Sequence, residues 1–387
     1  MYPKISDLIN DLFGTDINLP IQSYGLFLAL AFLTGAWLLY LELNRKEKEG
    51  LIVPQQRKVT IGAPAKPLEV IAYFVFSFIA GWKIIGFFAD YSAIVDHVQA
   101  YITSWQGSWL GGLIFASAYT GYFIYVKRRD RKDPPVTKMV TVHAREQAWP
   151  ILFIAIIAGI LGAKVFHWLE NWDEFTRDPL DSLLSFNGMT FYGGLIIATF
   201  SILYYGNKKG IRWIHLMDAV APSLILAYGI GRIGCHLAGD GDWGIVNDLS
   251  RPDWLSILPD WAWSYTYPHN ILNEGVPIPG CTGPHCFQLA EGVFPTPVYE
   301  TTMALIIFSI LWMLRKRISF PGGLFAIYLM FNGTERFLIE KIRINNTFPF
   351  LGMEVTQAEV ISTILFITGV VLLIFFYKTG NTKKHGS

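Results

Sequence analysis

The chain has 387 residues, of which 52% are hydrophobic and 16% charged, and its formal net charge is +1. A soluble fold of this size cannot bury so much apolar surface, so the composition indicates a membrane protein. The small net charge, and the lack of basic runs interleaved with aromatic residues, exclude a nucleic-acid-binding protein.

The first twenty residues are acidic and lack the basic start, apolar stretch and cleavage site of a signal peptide, so we expect them to be retained. Nine later segments approach the roughly 20 apolar residues that one helical span needs. They are 21–41, 68–88, 109–126, 149–169, 190–205, 214–233, 298–314, 322–339 and 360–377. The predicted fold is an all-α polytopic membrane protein with about nine transmembrane helices.

Basic residues alternate between the two sides of these spans, and 22 of the 31 Lys and Arg residues fall on one side. The positive-inside rule makes that side cytoplasmic, so the N-terminus is predicted outside and the C-terminus inside. The predicted organisation follows the chain: an outer segment 1–20, six helices in 21–235, an outer cap in 236–297, three helices in 298–377, and a cytoplasmic tail 378–387. Tryptophans and prolines in 236–297 favour an ordered cap over a linker.

Cysteine usage says little about function, because three cysteines are too few for a disulfide framework. Cys281 and Cys286 lie close together in the predicted cap and would be able to pair if it faces an oxidising space. We favour a loop-closing disulfide over a metal site there.

A repeat with an offset of 81 or 82 residues relates two parts of the chain. Ile79, Gly81 and Lys83 recur as Ile160, Gly162 and Lys164, and the sequence GGLI at 111–114 recurs at 193–196. Duplication is one interpretation, and chance similarity between apolar helices is the other. If the duplication is real, segment 68–126 is an extra helix pair.

Charged side chains inside spans need a partner or a task, because their insertion costs about 2.5 to 3.5 kcal/mol. Arg232 lies fourteen residues from Asp218, or about 21 Å along a helix, so this pair cannot neutralise itself. On the eighth predicted span, Arg336, Glu340 and Arg343 follow at i, i+4 and i+7, which predicts one helix face with a surplus positive charge. A structural ion-pair network with Asp240 or Glu300 is the alternative to a ligand site.

The predicted depth of the polar residues in the membrane favours a ligand site, because polar groups from six predicted spans fall in the outer half of the bilayer. They are Tyr24, Lys164, Tyr192, Arg232, Glu300 and Arg336. A guanidinium donates two parallel hydrogen bonds to a phosphate and stays charged when desolvated. We therefore predict a site for the headgroup of an outer-leaflet phospholipid. The glycine-rich stretch GIGRIGCHLAGDGDWG at 229–244 is consistent with a backbone shaped around this ligand.

Several separate blocks resemble the prolipoprotein diacylglyceryl transferases of the bacterial cytoplasmic membrane. In chain order the blocks are Ser23-Tyr24-Gly25, Asp178-Pro179-Leu180, NGMTFYGGL at 187–195, Asp218 with Ala221-Pro222, Gly231-Arg232-x-Gly234 through Trp243-Gly244, PTPVYE at 295–300, and Pro321-Gly322 followed by Arg336, Glu340 and Arg343. They cover most of 20–377 except the second and third spans.

The resemblance implies transfer of a diacylglyceryl group from phosphatidylglycerol to the lipobox cysteine of a prolipoprotein, with release of glycerol phosphate. It places the two essential arginines of the family at Arg232 and Arg336 and requires neither metal nor cofactor. The residues expected to bind substrate are Tyr24, Lys164, Gly193, Gly194, Asp240, Glu300, Glu340 and Arg343. Oligomeric state is not predicted.

The chain departs from the family where a histidine is usual, because Tyr192 stands there. A tyrosine titrates near 10, so neutral Tyr192 is a poor base and would instead orient lipid or thiol. His236 or His167 would be able to accept the proton, or either is an interfacial aromatic with no catalytic role. Further departures are Lys164 for arginine, Cys235 for asparagine and Asn332 for tyrosine.

Two other classes compete with the enzyme. An organic-anion transporter would also use intramembrane arginines, but its ionisable residues should lie at many depths. An assembly scaffold has little use for two such arginines. We therefore expect a transferase.

Overall fold

A computed structural model describes residues 1–94, 101–102, 104–177, 179, 190–345, 347–350 and 352–384. Ten helices of at least nine residues lie in these ranges. They are α1 (Ile5–Phe13), α2 (Ser23–Lys48), α3 (Pro67–Ala89), α4 (Trp109–Arg129), α5 (Ala148–Glu170), α6 (Phe191–Lys208), α7 (Trp213–Ala238), α8 (Thr296–Leu314), α9 (Gly323–Glu340) and α10 (Gln357–Lys384). Short helical turns occur at Tyr91–Ile94, Ala144–Gln147, Trp172–Arg177, Asp253–Leu255 and Asp260–Ala262.

The strands are short and form three two-stranded sheets. They are β1 (Gln55–Ile61) with β2 (Val136–Val142), β3 (Val276–Pro277) with β4 (Phe287–Gln288), and β5 (Thr347–Phe350) with β6 (Met353–Thr356). The last two pairs are antiparallel. These sheets join or cover helices, so the class of the fold is helical, as predicted.

Within the described ranges, seven helices are long and apolar enough to cross a membrane: α2, α3, α4, α5 with the turn before it, α7, α8 and α10. Every one of the nine predicted spans has a helix. The two outside the seven are α6 and α9, which have 18 residues each. Helix α9 carries three charged residues, and α6 ends in a polar turn, so neither meets the hydropathy of an isolated span. The protein is a multi-pass membrane protein, and nine crossings remain a prediction.

The chain divides into two compact units. Unit 1 contains Met1–Ile5, Gln22–Gln55 and the chain from His143 onwards, and unit 2 contains Ser6–Ile21 and Gln56–Val142. Helices α3 and α4, the predicted extra pair, are therefore the body of unit 2.

Unit 1 is built around α7, which packs against α2 on one side and α8 on another. Gly234 allows α2 to approach, because a Cβ at Gly234 would lie 2.9 Å from Phe27 Cβ. Gly229 does the same for α8, where a Cβ would lie 2.9 Å from Ala304 Cβ. Two buried apolar clusters, around Leu216 and around Ile225, continue these contacts. The glycines therefore set the position of the helix that carries Arg232.

The two halves of the sequence repeat form hairpins with the same glycine contact. In unit 2, a Cβ at Gly81 of α3 would lie 3.0 Å from the carbonyl oxygen of Gly111 in α4. In unit 1, a Cβ at Gly162 of α5 would lie 2.6 Å from the carbonyl oxygen of Gly193 in α6. Matched residues thus make matched contacts, which favours duplication over chance.

The segment between α7 and α8 is ordered and mostly non-helical. Its core contains Trp243, Tyr267 and Val293, and Cys281 is bonded to Cys286 as favoured from the sequence. Fully buried Asn270 ties the segment together, because its amide donates to the carbonyl oxygens of Tyr267 and Glu274. The segment is therefore folded and contacts one end of α7, while its position outside the membrane stays a prediction.

Some sequence predictions lie outside the described residues. They concern Asp178 and Leu180, the segment 187–189 that opens the block at 187–195, and residues 385–387 of the predicted tail.

Candidate active site

Helix α7 ends at Ala238, six residues after Arg232, because the backbone turns left-handed at Gly239. Its φ is +63°, a conformation that favours glycine, and its N–H donates to the carbonyl oxygen of Cys235 at 3.0 Å. The chain then reverses through Gly241, also at positive φ. This reversal returns Asp242 to the end of the helix, beside Arg232.

Arg232 is held by two carboxylates. Its Nη1 pairs with Asp242, and its Nε pairs with Glu300 at the start of α8. The guanidinium also lies over the ring of Tyr228, 5.0 Å from the ring centroid. Glu300 is fully buried, whereas the Arg232 side chain is 16% exposed. The structural ion-pair network that the sequence left open therefore exists, with Glu300 as one predicted partner.

Arg343 joins the same carboxylates from the other side. It pairs with Asp242, and its Nη1 lies 3.4 Å from Glu300 Oε1. Helix α9 ends at Glu340, so the predicted helical face of Arg336, Glu340 and Arg343 was wrong for its last member. Arg343 instead lies in an extended segment that bridges Gly244, where a side chain would meet the carbonyl oxygen of Ile342 at 2.3 Å.

Asp242, rather than the predicted Asp240, is the acidic partner from this turn. Burial would raise the pKa of Asp242, but the charges of Arg232 and Arg343 outweigh it and hold that pKa below its usual value. Asp240 makes no ion pair within the described ranges. Burial and the neighbouring Asp242 charge raise the pKa of Asp240. The sequence GDGD contains two candidate partners for the arginines, and the folded structure is needed to identify Asp242 as the one that pairs.

A third carboxyl group, Glu335, links this cluster to Arg336. The hydroxyl of Tyr228 donates a hydrogen bond to Glu300, and the same hydroxyl oxygen lies 3.3 Å from Glu335 Oε1. Glu335 is 2% exposed and lies in the electrostatic field of both Arg232 and Arg336. Arg336 itself pairs with Glu340 at 2.8 Å and is 27% exposed. The two predicted arginines therefore belong to one cluster of charges.

The predicted tyrosines lie at the edges of this cluster. Tyr24 of α2 is 42% exposed and close enough to Arg232 and Asp240 for their charges to act on its hydroxyl. Tyr192 of α6 is likewise close enough to Arg336 and Glu340 for their charges to act on its hydroxyl. Lys164 is buried in α5 beside the start of α6, where the Thr190 N–H donates to the Ala163 carbonyl at 3.1 Å.

Gly193 and Gly194 lie in the contact between α5 and α6. A Cβ at Gly193 would lie 2.3 Å from Phe166 Cβ, and one at Gly194 would lie 2.7 Å from the carbonyl oxygen of Gly159. Close helix packing accounts for both glycines without a ligand. Their predicted role in substrate binding gains no support from this geometry.

The two candidate histidines have other neighbours. The ring of His236 packs against Trp261 and Tyr265, and its Nδ1 is 3.3 Å from the hydroxyl of Tyr267. His167 Nδ1 is 3.1 Å from the side-chain nitrogen of Asn171, one turn further along. Among the described contacts, neither ring touches an arginine of the cluster.

A metal ion has a poor fit here. Ligand atoms of Cys235, Asp240 and Asp242 lie within 4.8 Å of one another. Asp242 is already paired with two guanidinium groups, whose positive charges oppose a cation. The cluster suits an anion better than a divalent metal.

A cavity of about 490 Å³ lies between the cap and α8 and is lined mainly by apolar residues, including Trp261, Trp263 and Met303. Arg251 is its charged member and pairs with Asp260 at 2.7 Å. None of the arginines of the cluster lines it, so cavity and cluster are separate features.

Sequence reasoning found Arg232, Arg336, Glu300, Glu340 and Arg343 but missed three members of the network. Tyr228, Asp242 and Glu335 were overlooked, although Glu335 precedes Arg336 directly and is an intramembrane acid by the same hydropathy signal. As a whole the cluster offers guanidinium groups that are oriented by buried carboxylates and partly exposed, which is an arrangement able to bind a phosphate ester.

Comparison with known proteins gives one family. The model of the prolipoprotein diacylglyceryl transferases matches residues 98–375. This range contains the whole charged cluster and the third predicted span, which the resemblance of the separate blocks did not cover, but not the block at 23–25.

Similar curated proteins come from several bacteria and share one name, phosphatidylglycerol--prolipoprotein diacylglyceryl transferase. The one from Dehalococcoides mccartyi is 29% identical over 57% of this chain and 74% of its own length. The one from Vibrio vulnificus is 27% identical, with coverages of 61% and 78%. The one from Corynebacterium diphtheriae is 30% identical, with coverages of 52% and 68%.

Proposed function

The chain belongs to the prolipoprotein diacylglyceryl transferase family, and we propose that it transfers the diacylglyceryl group of phosphatidylglycerol to the lipobox cysteine of a prolipoprotein. The observation that carries the proposal is the cluster of Arg232, Arg336 and Arg343 within the matched range. The shared name of its relatives supports the same reaction.

In this reaction the cysteine sulfur, as a thiolate, forms a C–S bond to a glycerol carbon. The bond between that carbon and the phosphate oxygen breaks, and glycerol phosphate leaves with the electron pair. Negative charge grows on the leaving oxygen, so guanidinium groups on the phosphate stabilise the transition state. No metal or cofactor takes part in the proposed step.

The contacts suggest different tasks for the two arginines. Arg232 uses Nε and Nη1 for carboxylates, whereas its Nη2 makes no ion pair with a described carboxylate. We therefore assign Arg232 a fixed orientation in which Nη2 is available to donate to a phosphate. Arg336 is more exposed and pairs with Glu340 alone among the described carboxylates, so a phosphate competes for it more easily.

Tyr192 acts as a donor that positions substrate, because its hydroxyl lies near Arg336 and Glu340. Tyr24 and Asp240 border the other side of the site, beside Arg232. His236 packs among cap aromatics, so we assign it the anchoring of the cap rather than proton transfer.

The location that we propose is the bacterial cytoplasmic membrane, with nine spans, an outer N-terminus, a cytoplasmic C-terminus and the site in the outer half of the bilayer. The distribution of basic residues supports this orientation. Labelling of single cysteines from either side of the membrane tests it. An organic-anion transporter was the alternative, and no observation favours it.

The decisive experiment incubates the purified full chain with phosphatidylglycerol and a lipobox peptide and measures the mass of the peptide. We expect a diacylglyceryl adduct on the cysteine. Arg232→Ala and Arg336→Ala should abolish it, while His236→Ala and Tyr192→Phe should retain part of it. An unmodified peptide with folded wild-type protein would refute the proposed activity.

A further inference from the structure

A polar cavity of about 230 Å³ lies in unit 1 at the end of α7 opposite Arg232. The end of α2 contributes Arg45 and Lys46, the start of α7 contributes His215, and the turn after α8 contributes Arg315 and Lys316. Glu49 and Asp218 are its acidic lining residues. Four cationic side chains thus converge on one small space.

The acidic groups around this cavity are engaged with protein partners. Fully buried Glu42 pairs with both Arg45 and Arg315 from behind the wall. Asp218 lies 3.4 Å from Lys46 Nζ and accepts the backbone N–H of Gly322 at 2.9 Å, at the start of α9. Glu49 pairs with Arg45 at 2.7 Å. The carboxylates therefore hold the walls in place and leave positive charge on the cavity side.

Of the four cations that line the cavity, Lys316 is the one without a carboxylate partner among the described residues. It is exposed at the rim of the cavity and lies in a turn of three successive basic residues, 315–317. The neighbouring Arg317 is also exposed but does not line the cavity.

Two buried nitrogens in the walls have no hydrogen-bond partner in the part of the chain that the structure describes. His215 is 4% exposed and its Nδ1 is unpartnered, and so is Nε of Arg315. A buried polar nitrogen without a partner is costly to the fold. Both residues line the same cavity, so its walls contain polar groups that the described protein atoms leave unsatisfied.

We propose that this cavity is a second anion site, which binds a phosphate ester independently of the transferase site. Phosphate oxygens match a guanidinium, an ammonium and an imidazole N–H that converge from different helices. The ligand is either the headgroup of an anionic phospholipid in the leaflet at this end of the helices or a soluble phosphate, since both present the same oxygens.

The test compares wild type with Lys316→Gln, and with Arg317→Gln as the matched control. One arm measures retention of phosphatidylglycerol against phosphatidylcholine on the detergent-purified full chain by native mass spectrometry. The other arm measures thermal stabilisation by inorganic phosphate against chloride at equal ionic strength. Binding at the transferase site is common to all variants, so differences between them report the second site.

We expect Lys316→Gln to weaken anion binding about five-fold, and Arg317→Gln to leave it within two-fold of wild type. His215→Asn should keep the donor near Nδ1 and bind nearly normally, whereas His215→Leu should weaken binding. A response in the lipid arm alone identifies a headgroup, and one in the phosphate arm alone identifies a soluble anion. Equal binding by wild type, Lys316→Gln and His215→Leu in both arms would overturn the proposal.

Discussion

Replacement of Asp242 by asparagine tests whether one carboxylate organises the arginine cluster. Asp242 pairs with Arg232 and with Arg343, and its side chain is 24% exposed. Breaking a fully buried ion pair costs about 3–5 kcal/mol, and partial exposure reduces this to about 2 kcal/mol. Glu300 still contacts both arginines, so we expect a folded protein that has lost its fixed guanidinium geometry.

The measurement combines unfolding in detergent with the peptide lipidation assay. Asp242→Asn should lower the free energy of unfolding by about 2 kcal/mol and transfer activity at least about ten-fold, because one misplaced electrostatic donor costs two or more orders of magnitude at such sites. Asp240→Asn is the matched control two residues away. It removes an acid without an ion pair among the described residues, so stability should be unchanged or higher at pH 7.

The contributions of Asp242 and Asp240 to folding stability change with pH in opposite directions. The pKa of Asp242 is depressed in the folded protein, so its stabilisation is present above the unfolded pKa and is lost as the pH falls through the folded value. The pKa of Asp240 is raised, so its contribution is lost as the pH rises through the folded value. If Asp240→Asn destabilises the protein at pH 7 as much as Asp242→Asn, the assignment of Asp242 as the organising carboxylate fails.

Three further predictions concern single positions. Gly193→Ala should destabilise the protein by about 1–3 kcal/mol, because its methyl group would meet Phe166, whereas Gly159→Ala projects into open space and should be neutral in the same unfolding assay. Tyr192→His should raise the transfer rate at pH 7, because an imidazole accepts the thiol proton more readily than a tyrosine; a rate no higher than that of Tyr192→Phe would contradict this. Lys83→Met should speed amide hydrogen exchange in the loop after α3, because the Lys83 ammonium donates to three carbonyl groups of that loop. The same variant should preserve transfer activity. Unchanged exchange would refute the role of Lys83 in holding the loop.

Hydropathy predicted the helices well because each span signals itself within its own segment. Charge predicted Arg232 and Arg336 for a similar reason, since an intramembrane arginine is anomalous in any context. The choice between Asp240 and Asp242 was beyond the sequence, because it depends on how the chain turns at Gly239 and Gly241. A prediction that places residues on one face of a helix also fails when the helix ends before the last of those residues.

Arg343 illustrates that failure, because its spacing from Arg336 fits a helix and yet the helix ends at Glu340. Asn345 donates to Glu340 Oε1 at 2.6 Å just after the helix, and the backbone of Ile342 accepts the Ile245 N–H at 2.9 Å. The contact with Ile245 comes from a distant part of the chain, so helical periodicity cannot register it. His236 was likewise a plausible base by position and is an aromatic packing residue by environment.

The chain leaves unit 1 after Gln55 and returns to it at His143, beside the segment that it left. Glu47 of α2 accepts the backbone N–H of Ala144 and lies 2.6 Å from His143 Nδ1. Every residue of the arginine cluster belongs to unit 1. The stretch from 56 to 142 therefore leaves and rejoins unit 1 at neighbouring positions, although Ser6–Ile21 also belongs to unit 2. Its excision with a short connecting peptide should leave a protein that still lipidates peptides.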